Sequence, residues 1–303
     1  MSVWNLAEDR KGVAAVVQFV ITSDYHDSRL DKFIRKTFRD VTLTSIYRFI
    51  RKGRIRVNGR KRKPGYRLQE HDIVHVHALI TPTCPRDAIS LTPQQKQQTL
   101  DWIVFEDDDL VVCNKPPGLA MHRGSGHEYG LLEMVQAALH NPELTFVHRI
   151  DRATSGLVAG AKSRRSAREL SAMFRRHDIA KYYMVMVGGV VNEEQFTITS
   201  FLKKEESRVV EQETDSHGAK KAVSQFSVVH RYKTCTLLNA RLLTGRTHQL
   251  RVQLAGYGHP IVGDVKYGGQ RAAYMLLFSH RLVIDARGLD VQAPLPLFFK
   301  RKS

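Results

Sequence analysis

One carboxylate set among basic side chains is the strongest chemical signal in this chain. Asp151 lies within His148–Gly156, which reads His-Arg-Ile-Asp-Arg-Ala-Thr-Ser-Gly, and the apolar run Leu157–Ala161 follows. Turn residues before such a run predict a loop that leads into a strand. A carboxylate close to positive charge stays ionised, as a nucleophile or a base must. These residues alone leave open a second interpretation, a surface loop with a local salt bridge.

Three segments, in order, resemble the active-site motifs of the RluA family of pseudouridine synthases. The first is His148–Gly156, which differs from the family's usual His-Arg-Leu-Asp-Arg-x-Thr-Ser-Gly by Ile150 in place of leucine. Lys181–Gly189 resembles the family's Lys-x-Tyr strand. Gly245–Val252 resembles its Gly-Arg-Thr-His-Gln-Ile-Arg-Val motif, and Gly258–Asp264 follows at the usual spacing. The resemblance covers nearly the whole chain and is strongest to the RluC branch of the family.

The resemblance implies an RNA pseudouridine synthase that works without a cofactor. It implies that Asp151 is the essential carboxylate and that Tyr183 packs on the uracil and can move a proton. It also implies that Arg251 forms a buried fork with Asp151. Arg149 would hold the RNA with the target base out of its stack, a state that costs roughly a few kcal/mol. His148 is predicted to contact RNA, with a structural histidine as an equal alternative.

Two positions depart from the family pattern. Gln253 stands where histidine is usual, and Phe278-Ser279 stands where Leu-His-Ala is usual. These changes affect the expected local packing more than the expected activity. If the segment around Arg251 is a pleated strand, Arg246 faces the same way only where a bend intervenes, so Arg246 is a weaker candidate.

Basic charge is concentrated in one part of the chain. Of the formal net charge of +17, residues 28–67 carry +13, from 15 Lys or Arg and two acids, Asp31 and Asp40. This asymmetry predicts a module that binds RNA or DNA. A solvated basic face that binds nothing is the alternative, and it is weaker because so few acids interleave.

The same region carries the signals of a small α/β fold. Ser28 and Thr44 are predicted to cap two helices, with Gly53 ending the second. Asn58-Gly59, next to alternating residues, predicts a hairpin turn. Ile46–Asn58 resembles the S4-type RNA-binding domain, whose basic face docks on phosphates and shape. The residues predicted to contact RNA, in this module and beside Asp151, are Arg48, Arg51, Lys52, Arg54, Arg56, His148, Arg149 and Arg152.

Composition divides the chain into three parts. Residues 1–80 form the predicted S4-like domain, with its core at residues 28–78. Residues 81–100, rich in Pro and Gln, are predicted to be a linker that ends in a short helix. Residues 101–303 form the predicted catalytic domain. Its helices and strands do not alternate regularly, which predicts an α+β fold with a mixed, mostly antiparallel sheet and peripheral helices.

Nothing in the sequence predicts a metal site, a disulfide framework or a membrane segment. The three cysteines, Cys84, Cys113 and Cys235, are isolated, which is typical of a reduced, cytoplasmic protein. Glu106–Asp109 is predicted to be a tight acidic turn between two strands rather than a metal site. His122–Gly126 is predicted to be a loop that faces RNA. No apolar run approaches the roughly 18 residues that a membrane helix needs.

Together these patterns and the resemblance predict an enzyme that isomerises uridines in large-subunit (23S) ribosomal RNA. It would use an aspartate nucleophile and base flipping, and it would act as a cytoplasmic monomer on free or precursor RNA. A catalytically silent RNA-binding assembly factor and a transfer RNA pseudouridine synthase remain as alternatives. A two-carboxylate glycosidase or nuclease is disfavoured, because no motif supplies a second well-placed acid.

Overall fold

Two compact units make up the chain, residues 1–88 and residues 89–303. The computed structural model describes residues 5–7, 16–38, 41, 43–77, 89–123, 129–205, 208–212 and 218–299. The predicted linker up to residue 88, with Cys84, lies outside the described residues, as do residues 124–128 of the loop predicted to face RNA.

The smaller unit packs two helices on a small antiparallel sheet. Its helices and strands are β1 (Asn5–Ala7), β2 (Val16–Val20), α1 (Leu30–Thr37), α2 (Leu43–Arg51), β3 (Ile55–Val57) and β4 (Ile73–His77). The strand order is β1-β2-β4-β3. Phe19 of β2 meets Phe33 and Phe38 edge to face, with centroids 5.7 and 5.9 Å apart, at the centre of the core. The apolar residues of this region are therefore turned inward, and its many basic side chains are left for the surface.

Both predicted helix caps of this unit are wrong. The N-cap of α1 is Arg29, because Ser28 is still in extended pairing, with its carbonyl accepting from the Leu68 amide at 2.9 Å. Helix α2 begins at Leu43, so Thr44 lies inside its first turn. Cap propensity is a local signal, and pairing with a distant segment overrides it here.

The predicted turns of this unit are confirmed. Gly53 follows α2 with φ of +72°, a left-handed backbone that suits glycine. Asn58 and Gly59 also have positive φ, and the turn they form is closed by two hydrogen bonds of 3.0 Å between Val57 and Arg60. The strand partner of β3 is nevertheless β4, and not the segment just after the turn.

The larger unit is built on one wide sheet with helices at its periphery. Its helices are α3 (Pro93–Asp101), α4 (Leu131–Ala138), α5 (Arg164–Arg176) and α6 (Gln249–Gly256). Its strands are β5 (Ile103–Glu106), β6 (Leu110–Lys115), β7 (Thr145–Phe146), β8 (Ser155–Ala161), β9 (Ile179–Gly188), β10 (Gln195–Lys204), β11 (Val209–Gln212), β12 (Lys220–Arg231), β13 (Cys235–Leu242), β14 (Leu277–Ile284) and β15 (Leu289–Gln292).

The order of this sheet confirms the predicted α+β fold class. The strands run β11-β10-β12-β13-β9-β14-β8-β6-β5, with β15 beside β14 and β7 beside β8. Among the described strands, β8 and β14 are the parallel pair, and the other pairs are antiparallel. Helix α3 begins at Pro93, with Thr92 and Gln95 forming a capping box, inside the segment predicted to be a linker.

The segment Gly245–Val252, which was considered above as a possible pleated strand, is not a strand. The segment forms a turn followed by helix α6, which begins at Gln249. Every residue from Gln249 to Leu254 is buried, so the helix has no polar face that would mark it in the sequence. Its apolar residues Leu250, Val252 and Leu254 therefore alternate as they would in a strand.

Strand β8 lies inside the sheet, between β14 and β6, and has no exposed residue. Its side chains alternate between two hydrophobic clusters, with Val158 in one and Leu157 and Ala159 in the other. Gly156, the second residue of the strand, has φ of +109° and lies against the backbone of Ser279 in β14. The parallel contact between the strands therefore requires a residue without a side chain at this position.

Replacing Gly156 by alanine should destabilise the larger unit by about 2 to 4 kcal/mol, since the left-handed backbone is strained and the new methyl group overlaps backbone atoms. Urea unfolding of the full chain measures this. The matched control is Gly188→Ala in β9, where the methyl group meets only Pro260 O at 3.7 Å. Equal unfolding midpoints for the two variants would contradict the prediction.

Candidate active site

The loop that carries Asp151 is tied to the loop after β6. The ammonium of Lys115 is fully buried and donates to the carbonyls of Pro116, Leu119 and Arg152 at 2.8, 2.9 and 3.1 Å. Gly118 and Arg152 exchange two further hydrogen bonds of 2.9 Å. Burial lowers the pKa of Lys115 to about 7, against the opposing effect of the Asp151 charge. These bonds hold the backbone of the Asp151 loop in one place.

Arg251 lies between two carboxylates. Its Nη1 is 3.1 Å from Oδ2 of Asp151, and its Nε and Nη2 form a fork with Asp264 at 2.7 and 2.8 Å. The buried fork predicted for Asp151 is therefore made with Asp264, and Asp151 receives a single contact. Burial would lower the pKa of Arg251, but the hydrogen bonds and charges of Asp264 and Asp151 raise it overall. Arg251 is thus a fixed cation beside Asp151.

The other predicted pocket residues come from the strand next to β13 and β14. Tyr183 of β9 is buried, and burial raises its pKa to about 12; the hydrogen bond with Ser279 lowers this pKa, and the Asp151 charge raises it slightly further. Lys181, two residues earlier on β9, has its Nζ 5.6 Å from the centre of the Phe174 ring. Burial lowers the pKa of Lys181. An aromatic ring and a cation therefore stand side by side on one face of this strand.

One pocket of about 270 Å³ brings these side chains together. Asp151, Tyr183 and Arg251 line it, together with Arg149 and Lys181. The pocket thus combines one carboxylate, one aromatic ring and several cations, which suits a planar base attached to a phosphodiester chain. Arg152 does not line it, and its guanidinium instead donates to Gly118 O in the supporting loop.

His148 lines the same pocket, but its contacts favour the structural alternative. Its Nε2 accepts a hydrogen bond of 2.9 Å from the Ala159 amide, and its ring stacks on Phe174 at 4.6 Å. Burial, helped by the charge of Lys181, lowers the pKa of His148 to about 3. The imidazole is therefore neutral, and it pins the start of the Asp151 loop to β8.

The five basic residues predicted to bind RNA in the smaller unit lie on α2 and just after it. Arg48, Arg51, Lys52 and Arg56 are exposed, and Arg54 is half-buried. The guanidinium groups of Arg48 and Arg54 both lie over the ring of Phe49, at 5.5 and 5.8 Å. Phosphate contacts need cations that are held in place and open to solvent, and this surface provides them.

Several residues of the site had no role predicted from the sequence. Asp264 ends the Gly258–Asp264 segment and His248 lies in the third motif, whereas Lys115, directly before Pro116, lies in none of the three motifs. Tyr267, 6% exposed, has its ring 5.0 Å from the Arg251 guanidinium. A charged residue next to a glycine or a proline was the signal in the sequence that could have marked Lys115 and Asp264 as site residues. The sequence alone does not say which side chains contact each other in the fold.

The departures from the family pattern belong to the packing around the site. Gln253 is buried in α6 and bonds Ser224 at 2.6 Å and Ser200 at 3.1 Å. Ser279 is buried in β14 and donates to Leu157 O at 3.0 Å. Both side chains therefore have hydrogen-bond partners, as buried polar groups require.

The described residues hold neither a cluster of metal ligands nor a membrane-spanning helix. Among the described residues, no group of three or more His, Cys, Asp or Glu side chains could hold a metal ion. Glu106–Asp109 is a turn between β5 and β6, where Glu106 pairs with Lys162 at 2.7 Å. In the described parts of the chain, no helix is long and apolar enough to span a bilayer.

Comparison with known families assigns both units to a class. Residues 109–256 match the RNA pseudouridylate synthase family, and residues 28–74 match the S4 domain. With the curated relatives described next, these matches show that the chain belongs to the RluA family of RNA pseudouridine synthases, with an S4 domain at its N-terminal side.

Relatives are similar over nearly the whole chain. The chain is 36% identical to the ribosomal large subunit pseudouridine synthase C of Vibrio parahaemolyticus over 286 residues, which cover 92% of this chain and 89% of the relative. It is 36% identical to the protein of the same name from Escherichia coli K12 over 277 residues, covering 89% and 83%. The solved structure titled human RNA pseudouridylate synthase domain containing 1 is 25% identical, with a TM-score of 0.55 over 63% of this chain and 82% of its own.

The neutral imidazole of His148 leads to a prediction about the stability of the protein in acid. Its pKa is about 3 in the folded chain and near 6.5 when exposed, so its contribution to stability is complete above pH 6.5 and is lost as the pH falls towards 3. His148→Gln should remove this dependence. When the pH falls from 7 to 5, the unfolding free energy of the wild type should decrease by up to about 2 kcal/mol more than that of the variant.

Urea unfolding at several pH values measures the difference in slope. His122→Gln, a change at an exposed position, is the control and should keep the wild-type slope. Parallel pH profiles for His148→Gln and the wild type would contradict a neutral imidazole.

Proposed function

We propose that this protein isomerises uridines of large-subunit ribosomal RNA to pseudouridine, with Asp151 as the nucleophile. The observation that carries the proposal is the pocket in which Asp151 contacts Arg251 beside the buried ring of Tyr183. The similar proteins from Vibrio parahaemolyticus and Escherichia coli, both named ribosomal large subunit pseudouridine synthase C, support the choice of RNA. We further propose that the protein is a cytoplasmic monomer that acts on free or precursor ribosomal RNA.

The reaction places simple demands on the pocket. The bond between N1 of uracil and C1′ of ribose breaks, C5 of uracil bonds to C1′ instead, C5 loses a proton and N1 gains one. A carboxylate that bonds transiently to the nucleotide divides this exchange into smaller steps. Asp151 is suited to that task because its side chain is 21% exposed at the pocket, whereas Arg251 behind it is 10% exposed.

Tyr183 and Arg149 have supporting roles in this proposal. The high pKa of Tyr183, raised by burial to about 12, keeps its hydroxyl neutral, so the ring offers uracil an apolar surface. Its hydroxyl can receive a proton from C5 only by passing on its own in the same step. Arg149 is exposed at the mouth of the pocket and would contact the RNA strand from which the uridine has turned out.

The alternatives are weaker on the same geometry. A two-carboxylate hydrolase needs a second free acid, but both oxygens of Asp264 are bound by Arg251 and its side chain is 1% exposed. A silent assembly factor has no need for a buried ion pair beside an open pocket. Transfer RNA remains the competing substrate, and the basic surface of the S4 domain together with the names of the relatives favours ribosomal RNA.

Asp151→Asn should abolish isomerisation, with a loss of at least roughly 1,000-fold in turnover, because the amide is no nucleophile. RNA affinity should hardly change, since the side-chain shape is kept. Pseudouridine is mapped by mass spectrometry or carbodiimide chemistry in ribosomal and transfer RNA from cells that lack the protein, and from cells that carry the wild type or the variant.

Loss of particular large-subunit uridine modifications, restored only by the wild type, is the expected result. If the ribosomal RNA is unchanged and a transfer RNA position loses its pseudouridine, then transfer RNA is the substrate instead. Restoration of the modifications by Asp151→Asn would show that Asp151 is not the nucleophile.

Neutralising the basic surface of the smaller unit should weaken RNA binding in a salt-dependent way. Arg48→Gln, Arg51→Gln and Lys52→Gln together should reduce the slope of log affinity against log salt by about 2 to 3, if each cation neutralises one phosphate. Affinity is measured on a ribosomal RNA fragment at several salt concentrations.

The matched control removes the same charge elsewhere, with Arg165→Gln, Arg175→Gln and Lys233→Gln at exposed positions of the larger unit. An equal fall in slope for both triple variants would attribute the effect to net charge and reject the surface on α2 as the binding face.

A further inference from the structure

A chain of hydrogen bonds leads from the edge of the sheet to the pocket. The amide of Val209 in β11 donates to the hydroxyl of Tyr267 at 3.2 Å. That hydroxyl is 2.7 Å from Nδ1 of His248. On the other side of the same ring, Nε2 of His248 is 3.6 Å from Oδ2 of Asp151. His248 therefore stands between a buried tyrosine and the carboxylate at the centre of the site.

The direction of these bonds determines where the imidazole carries its proton. A tyrosine hydroxyl has one proton to give, and the oxygen of Tyr267 already accepts from Val209. Among the described residues, His248 is the group positioned to take that proton. Nδ1 is then the acceptor, and a neutral imidazole must carry its own proton on Nε2, the nitrogen that faces Asp151.

The surroundings of His248 favour the neutral ring. Burial lowers its pKa, the charge of Asp151 opposes this, and the charges of Arg251 and Lys266 lower it further, with a smaller opposite effect from Asp264. These are the charged groups that face the ring from the Asp151 loop, from α6 and from the turn after it. A neutral donor can orient a carboxylate without cancelling its charge.

The two oxygens of Asp151 are not equivalent. Arg251 and His248 both approach Oδ2, at 3.1 and 3.6 Å. Among the described residues, no donor contacts Oδ1. An oxygen bound to donors is a poorer nucleophile than a free one, so Oδ1 is the atom left to attack.

We propose that His248 is a positioning residue for Asp151. Tyr267 holds the imidazole in the tautomer that carries its proton on Nε2, and this N–H acts with Arg251 on Oδ2 so that Oδ1 faces the nucleotide. The proposal rests on the proposed function for the role of Asp151, and on the geometry alone for the tautomer. Outer partners that fix the tautomer of metal-binding histidines are worth about 10- to 100-fold, and we expect an effect of the same order here.

Two substitutions of His248 separate positioning from a structural role. His248 has φ of +54°, a backbone that asparagine tolerates better than glutamine. The amide nitrogen of glutamine can reach the place of Nε2, whereas the shorter asparagine ends near Nδ1. His248→Gln should therefore be less stable than His248→Asn and yet retain more activity.

The kinetic test compares kcat and KM for these two variants and for Tyr267→Phe, using the full chain and a ribosomal RNA fragment. Tyr267→Phe keeps the ring beside Arg251 and should lower kcat by about 10- to 100-fold while KM changes little. Tyr257→Phe, at the other end of α6, is the control and should leave kcat unchanged. The proposal would be overturned if the more stable variant, His248→Asn, were also the more active one.

A nitrogen-15 NMR spectrum of the histidine-labelled protein tests the tautomer directly, with the His248 signals identified by their loss in His248→Gln. A proton on Nε2 in the wild type, and a mixture of tautomers in Tyr267→Phe, is the expected result. A proton on Nδ1, or a charged ring at neutral pH, would overturn it. Because the spectrum is recorded without RNA, it decides the tautomer even if the RNA substrate or the role of Asp151 has been assigned wrongly.

Discussion

The contact of Arg251 with two carboxylates is the interaction on which the rest of the site depends. Asp264 takes two donors of the guanidinium and leaves Nη1 for Asp151. A guanidinium free to turn would form a fork with Asp151 and occupy both of its oxygens. The fork with Asp264 prevents this, and the group of three charges keeps a net negative charge. Arg251 therefore orients Asp151 without removing its reactivity.

This arrangement needs three distant parts of the chain to meet with little freedom. Asp151 and Arg251 are 100 residues apart, and Asp264 follows a glycine with φ of +86°. A methyl group on Gly263 would overlap the backbone of Tyr274, so the turn that presents Asp264 tolerates only glycine. On the other side, the three carbonyls that Lys115 binds fix the loop of Asp151. Because the side chains are already held in place, little conformational entropy is lost when the reactive geometry forms in each turnover.

The sequence identified the central residues of the site but not which of them bond to one another. Asp151, Tyr183 and Arg251 were found because their motifs resemble a family, and the loop before β8 follows from turn residues ahead of an apolar run. Helix α6 was not predicted, because a helix buried from Gln249 to Leu254 has no polar face to reveal its period. Arg251 contacts Asp151 as predicted, but its two-donor fork is made with Asp264, since two aspartates fit the same chemistry and only the fold decides which one forms the fork. The tautomer of His248 depends on Val209 and Tyr267, which no local pattern connects to it.

The division of charge between the two units follows from the same chemistry. In the proposed reaction the nucleophile is a carboxylate, which repels the phosphates of RNA and weakens the long-range attraction of its own site. Residues 28–67 hold +13 of the net charge of +17, and the rest of the chain carries the remaining +4. The long-range electrostatic attraction of RNA, which is weakened by salt, is thus expected to come mainly from the smaller unit. Under the proposed function, the pocket can then keep its few cations for short-range tasks: Arg251 would act on the carboxylate, and Arg149 and Lys181 would act on the incoming nucleotide.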